Sequence, residues 1–182
     1  MDELVRRLIK AGIMPKKEGS FVLSSGQKSD IYFDLKAVCG SHPGIRAELA
    51  DRLYHQFPQR VTCVAGSGHG GIPLAATIST MYELKLATIR SQRKEYGTGK
   101  CIDGYHPESA DIIALVDDVF TRGDSLRESI SILRQETEST RISCHVVINR
   151  NDNGLGLLSL LPSNVTETYM LTHLFTMEDF FC

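Results

Sequence analysis

Two adjacent carboxylates, Asp117 and Asp118, end an apolar run in IIALVDDVFTRGDSL, residues 112–126, and Thr121, Gly123 and Ser125 follow them. Acids at the end of a buried strand are costly unless something cationic or rich in hydroxyls meets them. The residues that follow read as a strand-to-helix turn. Such a turn aims backbone N–H groups, here with the hydroxyls of Thr121 and Ser125, at an anion, and the helix dipole adds favourable potential. The acids suit hydroxyls or a hydrated metal ion. A lone acid in this position is as often a simple turn cap; two acids before Thr-x-Gly-x-Ser point to a ligand carrying both a phosphate and a diol.

Three other stretches carry chemistry. AGSGHGGIPLA, residues 65–75, satisfies G-x-G-x-x-G through Gly66, Gly68 and Gly71, which as a bare pattern is a dinucleotide fingerprint. That reading needs an acid near the end of the next strand, where Arg90 stands instead, and it leaves the acid pair unexplained. RSQRKEYGTGKCIDGYH, residues 90–106, gathers Arg90, Arg93, Lys94 and Lys100 among glycines. It is either a solvated charged loop or a basic flap that closes over a polyphosphate, with Gly97 and Gly99 as hinges. GTGK lacks the earlier glycine and the following hydroxyl of a Walker loop. In INRNDNG, residues 148–154, Arg150 can bond nearby carbonyls or present a planar fork to a carboxylate or base edge. His42, His55, His69, His106, His145 and His173 show no metal-ligand spacing and are expected to be structural or on the surface.

Positioning these loops is the task of an alternating α/β chain. VTCVAG (61–66), KLATIR (85–90), DIIALVDD (111–118) and RISCHVVI (141–148) read as strands, with TETYMLT (166–172) a weaker fifth. Helical periodicity covers 43–57, 72–83 and 123–136. A parallel sheet of this kind binds ligands at the carboxyl ends of its strands, so the loops at 66–71, 90–104, 117–125 and 149–154 should converge. The first 40 residues break the alternation: a short amphipathic helix (2–11) precedes SFVLSSGQKSDIYFDL, whose two β-like runs flank a turn carrying Lys28. Together with the last residues this segment is expected to form a small lid beside the sheet.

At 182 residues, with 42% hydrophobic and 23% charged residues and a formal charge of −2, the chain fits one globular domain and has no nucleic-acid-coating surface. Five scattered cysteines suggest neither a disulfide framework nor a zinc site. No apolar run approaches the ~20 residues needed to span a bilayer. A soluble cytoplasmic protein without membrane or nucleic-acid partners is expected.

The acid-pair segment resembles the phosphoribosyl pyrophosphate signature of type I phosphoribosyltransferases: apolar strand, two acids, then Thr-x-Gly-x-Ser/Thr. FVLSSGQKSDIYFDLK is similar to the Phe-x-Leu-x-Ser-Gly-x-x-Ser-x-x-Tyr opening of orotate phosphoribosyltransferases, and RKE at 93–95 to the start of their catalytic flap. GSGHGGIPLA resembles their pyrophosphate loop, and INRNDNG their segment with an orotate-facing arginine. The likeness runs in order from about residue 20 to 180.

The resemblance implies a parallel five-stranded sheet flanked by helices, with a hood formed by about residues 1–40 plus the C-terminal residues, on a core of about 41–172, all one domain. It implies transfer of a phosphoribosyl group from phosphoribosyl pyrophosphate to orotate in pyrimidine nucleotide synthesis. Asp117 and Asp118 would hold the ribose hydroxyls and help place Mg²⁺, mostly through water or substrate. Residues Thr121, Arg122, Gly123, Asp124 and Ser125 would take the 5-phosphate, and Gly70 and Gly71 would line the pyrophosphate loop. Arg93 and Lys94 would neutralise pyrophosphate, Lys28 would assist from the hood, and Arg150 would pair with the orotate carboxylate. A homodimer is implied, its flap serving the neighbouring subunit's site. Here the pyrophosphate loop lacks the family's lysine, and RKEYGTGK puts Gly97 and Gly99 where the flap lysine and histidine belong, so Lys100 is the nearest substitute. Two rivals stay open: a nucleotide-binding or regulatory protein with little catalysis, and a phosphoribosyltransferase for another base.

Overall fold

A computed structural model describes residues 1–14, 21–22, 28–29, 31–90, 100–139, 141–151, 157–159 and 168–181, with the backbone alone at 21–22, 28–29, 157–159 and 168. In chain order the elements are α1 (Glu3–Lys10), β1 (Phe21–Val22), β2 (Lys28–Ser29), α2 (Leu35–Ser41), α3 (Pro43–Tyr54), β3 (Cys63–Ser67) and α4 (Gly68–Tyr82). There follow β4 (Lys85–Ile89), β5 (Ile102–Gly104), β6 (Ile112–Phe120), α5 (Asp124–Glu136), β7 (Arg141–Asn149), β8 (Leu157–Ser159) and β9 (Thr168–Thr176), with a final 3₁₀ turn at Glu178–Phe180.

The sheet runs β5-β4-β3-β6-β7-β9-β8. β4, β3, β6, β7 and β9 are mutually parallel, as expected, and two short antiparallel strands, β5 and β8, are added at the edges. Because the chain goes from β3 outward to β4 and then back across to β6, the strand order reverses between β3 and β6. In open parallel sheets that reversal opens a crevice beyond the strand ends.

Two apolar layers hold the sheet between helices. Leu126, Ile130 and Leu133 of α5 pack on Cys63, Ala65, Ile113, Leu115 and Val146 on one face. On the other, Leu74, Ala75 and Ile78 of α4 join Leu49 and Leu53 of α3 over Val64, Val116 and Ile148. The α5 spacing is what the 3.6-residue period requires, and each such buried leucine or isoleucine contributes about 1.5–3 kcal/mol. Helix α1 starts at Asp2, whose carboxylate accepts from the Leu4 N–H (2.7 Å) and from Arg52 of α3 (2.6 Å). At the other end of the chain, Phe180 meets Phe33 edge-on at 4.9 Å, so the two terminal segments share one core.

Several local expectations change. No loop separates β3 from α4: the strand runs through Ser67 and the helix begins at Gly68, with Pro73 inside it. Proline is commonest in a helix's first turn, so the sequence pattern places the start four residues late. Lys28 opens β2 rather than sitting in the turn; residues 23–27 lie outside the described residues. Helix α2, capped by Asp34 through the Ala37 N–H (3.1 Å), goes unnoticed in the sequence, as do β5 and β8.

Candidate active site

β6 presents its side chains alternately to the two layers: Ile113 and Leu115 to the α5 side, Val116 to the α4 side. The period of two continues into the acids. Asp117 turns to α5, where its Oδ2 accepts from Ser125 Oγ at 2.9 Å. Asp118 turns to α4, its carboxyl lying over Gly70 so closely that a Cβ on that glycine would come within 2.1 Å of Cγ and Oδ2. Adjacent acids therefore address the N-termini of two different helices. β3 supplies the gap between them, because its pairing with β6 stops at Gly66 opposite Val116.

The electrostatics are those of an incomplete site. Asp117 is 7% exposed, and burial, then the neighbouring charge of Asp118, push its carboxyl above the usual carboxylate range. Its only described compensation is the Ser125 hydroxyl and the Asp118 N–H (2.9 Å). Asp118 Oδ1 accepts from the Val119 N–H at 2.9 Å. Among the described residues no lysine or arginine forms an ion pair with either acid. Two carboxylates left this way favour hydroxyls or a cation from outside the chain.

The turn after β6 leaves backbone donors that can receive an anion. Gly123, at φ 82°, takes the left-handed conformation that other residues resist, and so swings the chain from strand into α5. No side chain caps that helix, whose first-turn N–H groups lack intrahelical partners. Thr121 is half-buried beside them. Arg122 is exposed and its carbonyl accepts from Arg127 Nη1 (2.6 Å), while Asp124 faces the same guanidinium at 3.3 Å. Arg127 thereby offsets the Asp124 charge beside the turn.

Arg150 follows β7 and donates its N–H to the Phe120 carbonyl (2.8 Å), which fixes it at the same end of the sheet as the acids. Its guanidinium carbon lies 5.9 Å from the centre of the Phe33 ring, and burial lowers its pKa from the ordinary arginine value. Lys100 is not brought to the acids. It is exposed and precedes Cys101, whose N–H donates to Glu136 (2.8 Å) at the far end of α5. That end is about 17 Å along the helix from Ser125. Arg90 pairs with Asp103 on the β4–β5 edge. Arg93, Lys94, Gly97 and Gly99 lie outside the described residues, and of Lys28 only the backbone is described.

The sequence reading missed two residues. Ser67, 7% exposed at the junction of β3 and α4, has a buried hydroxyl that finds no partner among the described residues. Arg46, one turn into α3, donates to the Cys39 carbonyl at 3.1 Å while its Nε is buried without a described partner. The Cys39 thiol is pushed up to about 11, mainly by burial; the Arg46 charge lowers it and that of Asp118 raises it, so both groups lie near it. Ser67 had a signal, a polar residue inside a glycine-rich strand end, whereas nothing distinguishes Arg46 from other helical arginines.

A parallel sheet covered on both faces, with an acid pair and two open helix N-termini at its switch point, defines a type I phosphoribosyltransferase fold. Comparison with known proteins agrees. The chain is 36% identical over 151 residues to the orotate phosphoribosyltransferase of Methanopyrus kandleri, covering 83% of this chain and 79% of that one. The crystal structure of the Aeropyrum pernix orotate phosphoribosyltransferase superposes with a TM-score of 0.69 at 26% identity, over 97% of this chain and 95% of that one. The fold is also that of part of the Leishmania donovani UMP synthase, with a TM-score of 0.72 at 23% identity over 98% of this chain and 36% of the larger protein. No family model matches the chain. The chain belongs to the orotate phosphoribosyltransferase family.

Proposed function

We propose that the protein transfers the phosphoribosyl group of phosphoribosyl pyrophosphate to orotate. The bond from ribose C1 to the pyrophosphate oxygen breaks with its electron pair going to that oxygen, a bond from C1 to a ring nitrogen of orotate forms as that nitrogen gives its proton to solvent or to the departing pyrophosphate, and orotidine 5′-phosphate and pyrophosphate leave. The observation that carries this reading is the Asp117–Ser125 hydrogen bond, which ties a diol-binding acid to the first turn of an anion-binding helix. A phosphate on that turn and ribose hydroxyls on the acids fit one phosphorylated pentose.

Each group then has a task. Thr121 and the N–H groups at 123–125 hold the 5-phosphate, and the Ser125 hydroxyl, which donates to Asp117 in the ligand-free protein, turns to it when it binds; Asp117 and Asp118 hold the ribose hydroxyls. Ser67, Gly70, Gly71 and the first turn of α4 face the pyrophosphate. Arg150, stiffened by Phe33, takes the orotate carboxylate. Positive charge developing at C1 is stabilised by the fixed carboxylates rather than by a covalent nucleophile. Arg93 and Lys94 bring charge to the pyrophosphate, and Lys28 approaches from the hood of a single-domain chain. Lys100, remote from this chain's own acids, acts with the flap across a homodimer.

Magnesium fits the acid pair: a buried carboxylate whose ionisation is opposed by its neighbour gains from a nearby divalent charge. Among the described residues no cluster of three or more ligating side chains forms a cage, so Asp117 and Asp118 would hold the ion chiefly through water and substrate. When bound it neutralises the pyrophosphate charge. Buried free thiols at Cys39, Cys63, Cys101 and Cys144 suit a reducing, cytoplasmic setting.

The test is a panel of free bases with the sugar donor and Mg²⁺. Orotate consumption with release of pyrophosphate is expected, and it should fail in Arg150→Ala while donor binding persists. Donor binding without turnover of any base would leave a binding protein in place of an enzyme.

A further inference from the structure

We propose that Asn149 is a positioning residue for Arg150, its side chain fixing the direction in which that arginine leaves the sheet and hence the affinity for the carboxylate of the base; the proposal rests on the phosphoribosyl reading of the site, in which Arg150 takes orotate. Asparagine is depleted in strands and is seldom fully buried. Asn149 is nevertheless 4% exposed at the end of β7, opposite Phe120 of β6 on one side and Thr176 of β9 on the other. An apolar residue would fill that place in a covered sheet equally well. What an apolar residue lacks is an acceptor: the Asn149 Oδ1 accepts from the Asn151 N–H at 2.9 Å, closing a turn around residue 150.

The turn matters because Arg150 is held from both sides. The peptide plane before its Cα is anchored by its own N–H, which donates to the Phe120 carbonyl at 2.8 Å, and the plane after it by the Asn151 N–H on Asn149. With both planes anchored, φ and ψ at residue 150 are set, and with them the direction of the Cα–Cβ bond. Phe120 stands two residues after Asp118 on β6, so the arginine is aligned with the strand that carries the acids. At the far end of the side chain the Phe33 ring, 5.9 Å from the guanidinium carbon, limits where the charge can go. Loss of the Asn149 acceptor frees the peptide between 150 and 151. The arginine must then be ordered on binding, which costs affinity for the base and not for the sugar donor.

The test is a series at position 149 read by KM for orotate, KM for the sugar donor and thermal melting. Asn149→Leu keeps the volume and removes the acceptor, whereas Asn149→Asp keeps the acceptor. Orotate KM should rise about three- to tenfold in Asn149→Leu, the share of one neutral hydrogen bond, with donor KM unchanged. Its melting temperature should fall by no more than about 2–4 °C, since the freed Asn151 N–H belongs to an exposed residue. Asn149→Asp, whose carboxylate accepts the same N–H, should return orotate KM to within about twofold of wild type. Added to Arg150→Ala, Asn149→Leu should change orotate KM no further. A residue that only fills the sheet gives the reverse, recovery in Asn149→Leu and damage in Asn149→Asp, and that outcome overturns the proposal, as does a joint rise in both KM values. If the wild type does not bind orotate, or Arg150→Ala leaves its KM unchanged, the assignment of the base-facing arginine fails instead. A crystal structure of Asn149→Leu then decides: a turned 150–151 peptide leaves the positioning role standing, and a peptide and guanidinium that keep their places overturn it.

Discussion

The two ends of β6 treat their acids in opposite ways. At its start Asp111, 3% exposed, accepts from Thr62 Oγ1 (2.6 Å), Lys85 Nζ (3.0 Å), Tyr105 OH (2.8 Å) and the Glu108 N–H (2.9 Å). Burial opposes its charge, but these four donors outweigh it and hold its carboxyl well below the usual carboxylate range. At the other end Asp117 is about as buried, and burial and the second carboxylate beside it push its carboxyl the other way, against one described hydroxyl and one N–H that favour the charge. The difference is between an acid whose partners are supplied by the chain and one whose partners are left to a ligand. Burial alone does not distinguish a structural carboxylate from a functional one; the count of donors does.

Replacing Asp117 by asparagine should have the largest effect, a loss of about 10³-fold in turnover, the scale of removing one preorganised electrostatic group. Its stability should move oppositely. A carboxylate with a raised folded pKa contributes most below its unfolded value near 4, and that contribution is lost as pH rises through the folded value. Asp117→Asn without ligand should therefore melt at or above the wild-type temperature at pH 8 and show no advantage at pH 4. If the variant melts well below wild type at pH 8, the two ends of β6 are alike and the distinction fails.

Asp111→Ala is the mirror experiment. It strands the Thr62, Tyr105 and Lys85 groups and should destabilise by about 3 kcal/mol, with KM values unchanged in the folded fraction. For Asp111 the folded pKa is depressed, so its stabilisation is present above the unfolded value near 4 and is lost as pH falls below it. Urea unfolding at pH 7 and pH 3.5 measures both.

Much of this was legible in the sequence for a physical reason. Five apolar strand patterns and three helical ones fixed the parallel sheet, because burial on both faces leaves a strong imprint on composition. The acid pair was legible because carboxylates inside β-branched runs are rare, and its turn because Gly123 marks the strand-to-helix reversal. What was hidden depends on distances between segments. Gly70 and Asp118 lie 48 positions apart. Nothing local in either segment reports that they touch. The four donors around Asp111 come from three segments, and only their assembly shows that this acid is satisfied. The edge strands β5 and β8, three residues each, were too short to impose a period.

Between the two ends of the strand, His145 of β7, paired with Val116, supplies a titration in another range. It is fully buried, its Nδ1 is 2.7 Å from Thr172 Oγ1 and its Nε2 2.8 Å from Ser143 Oγ, and Phe57 lies against its ring. Burial lowers its pKa to about 4. A histidine with a depressed folded pKa contributes stability above the unfolded value near 6.5 that is lost as pH falls toward 4. The loss between pH 7 and 5.5 should be about 1 kcal/mol. It should vanish in His145→Gln, leaving the Asp111 loss below pH 4 intact. Acid unfolding that begins at pH 6 and is unchanged by that variant would show that another group carries it.

The smallest effect sharpens the contrast most. Ser67 carries a buried hydroxyl for which the described residues offer no partner, an uncharged and more complete case of the shortfall at Asp117. An unsatisfied buried hydroxyl costs up to about 1–3 kcal/mol, and water in the crevice offsets part of this. Ser67→Ala should therefore stabilise the ligand-free protein by less than about 1 kcal/mol while weakening pyrophosphate binding about five- to tenfold, a neutral donor's share of an anion site. Opposite signs in the two measurements are the mark of a residue kept for a ligand. If serine and alanine bind pyrophosphate equally and differ only in melting, Ser67 belongs with Asp111 and its partner lies within the chain.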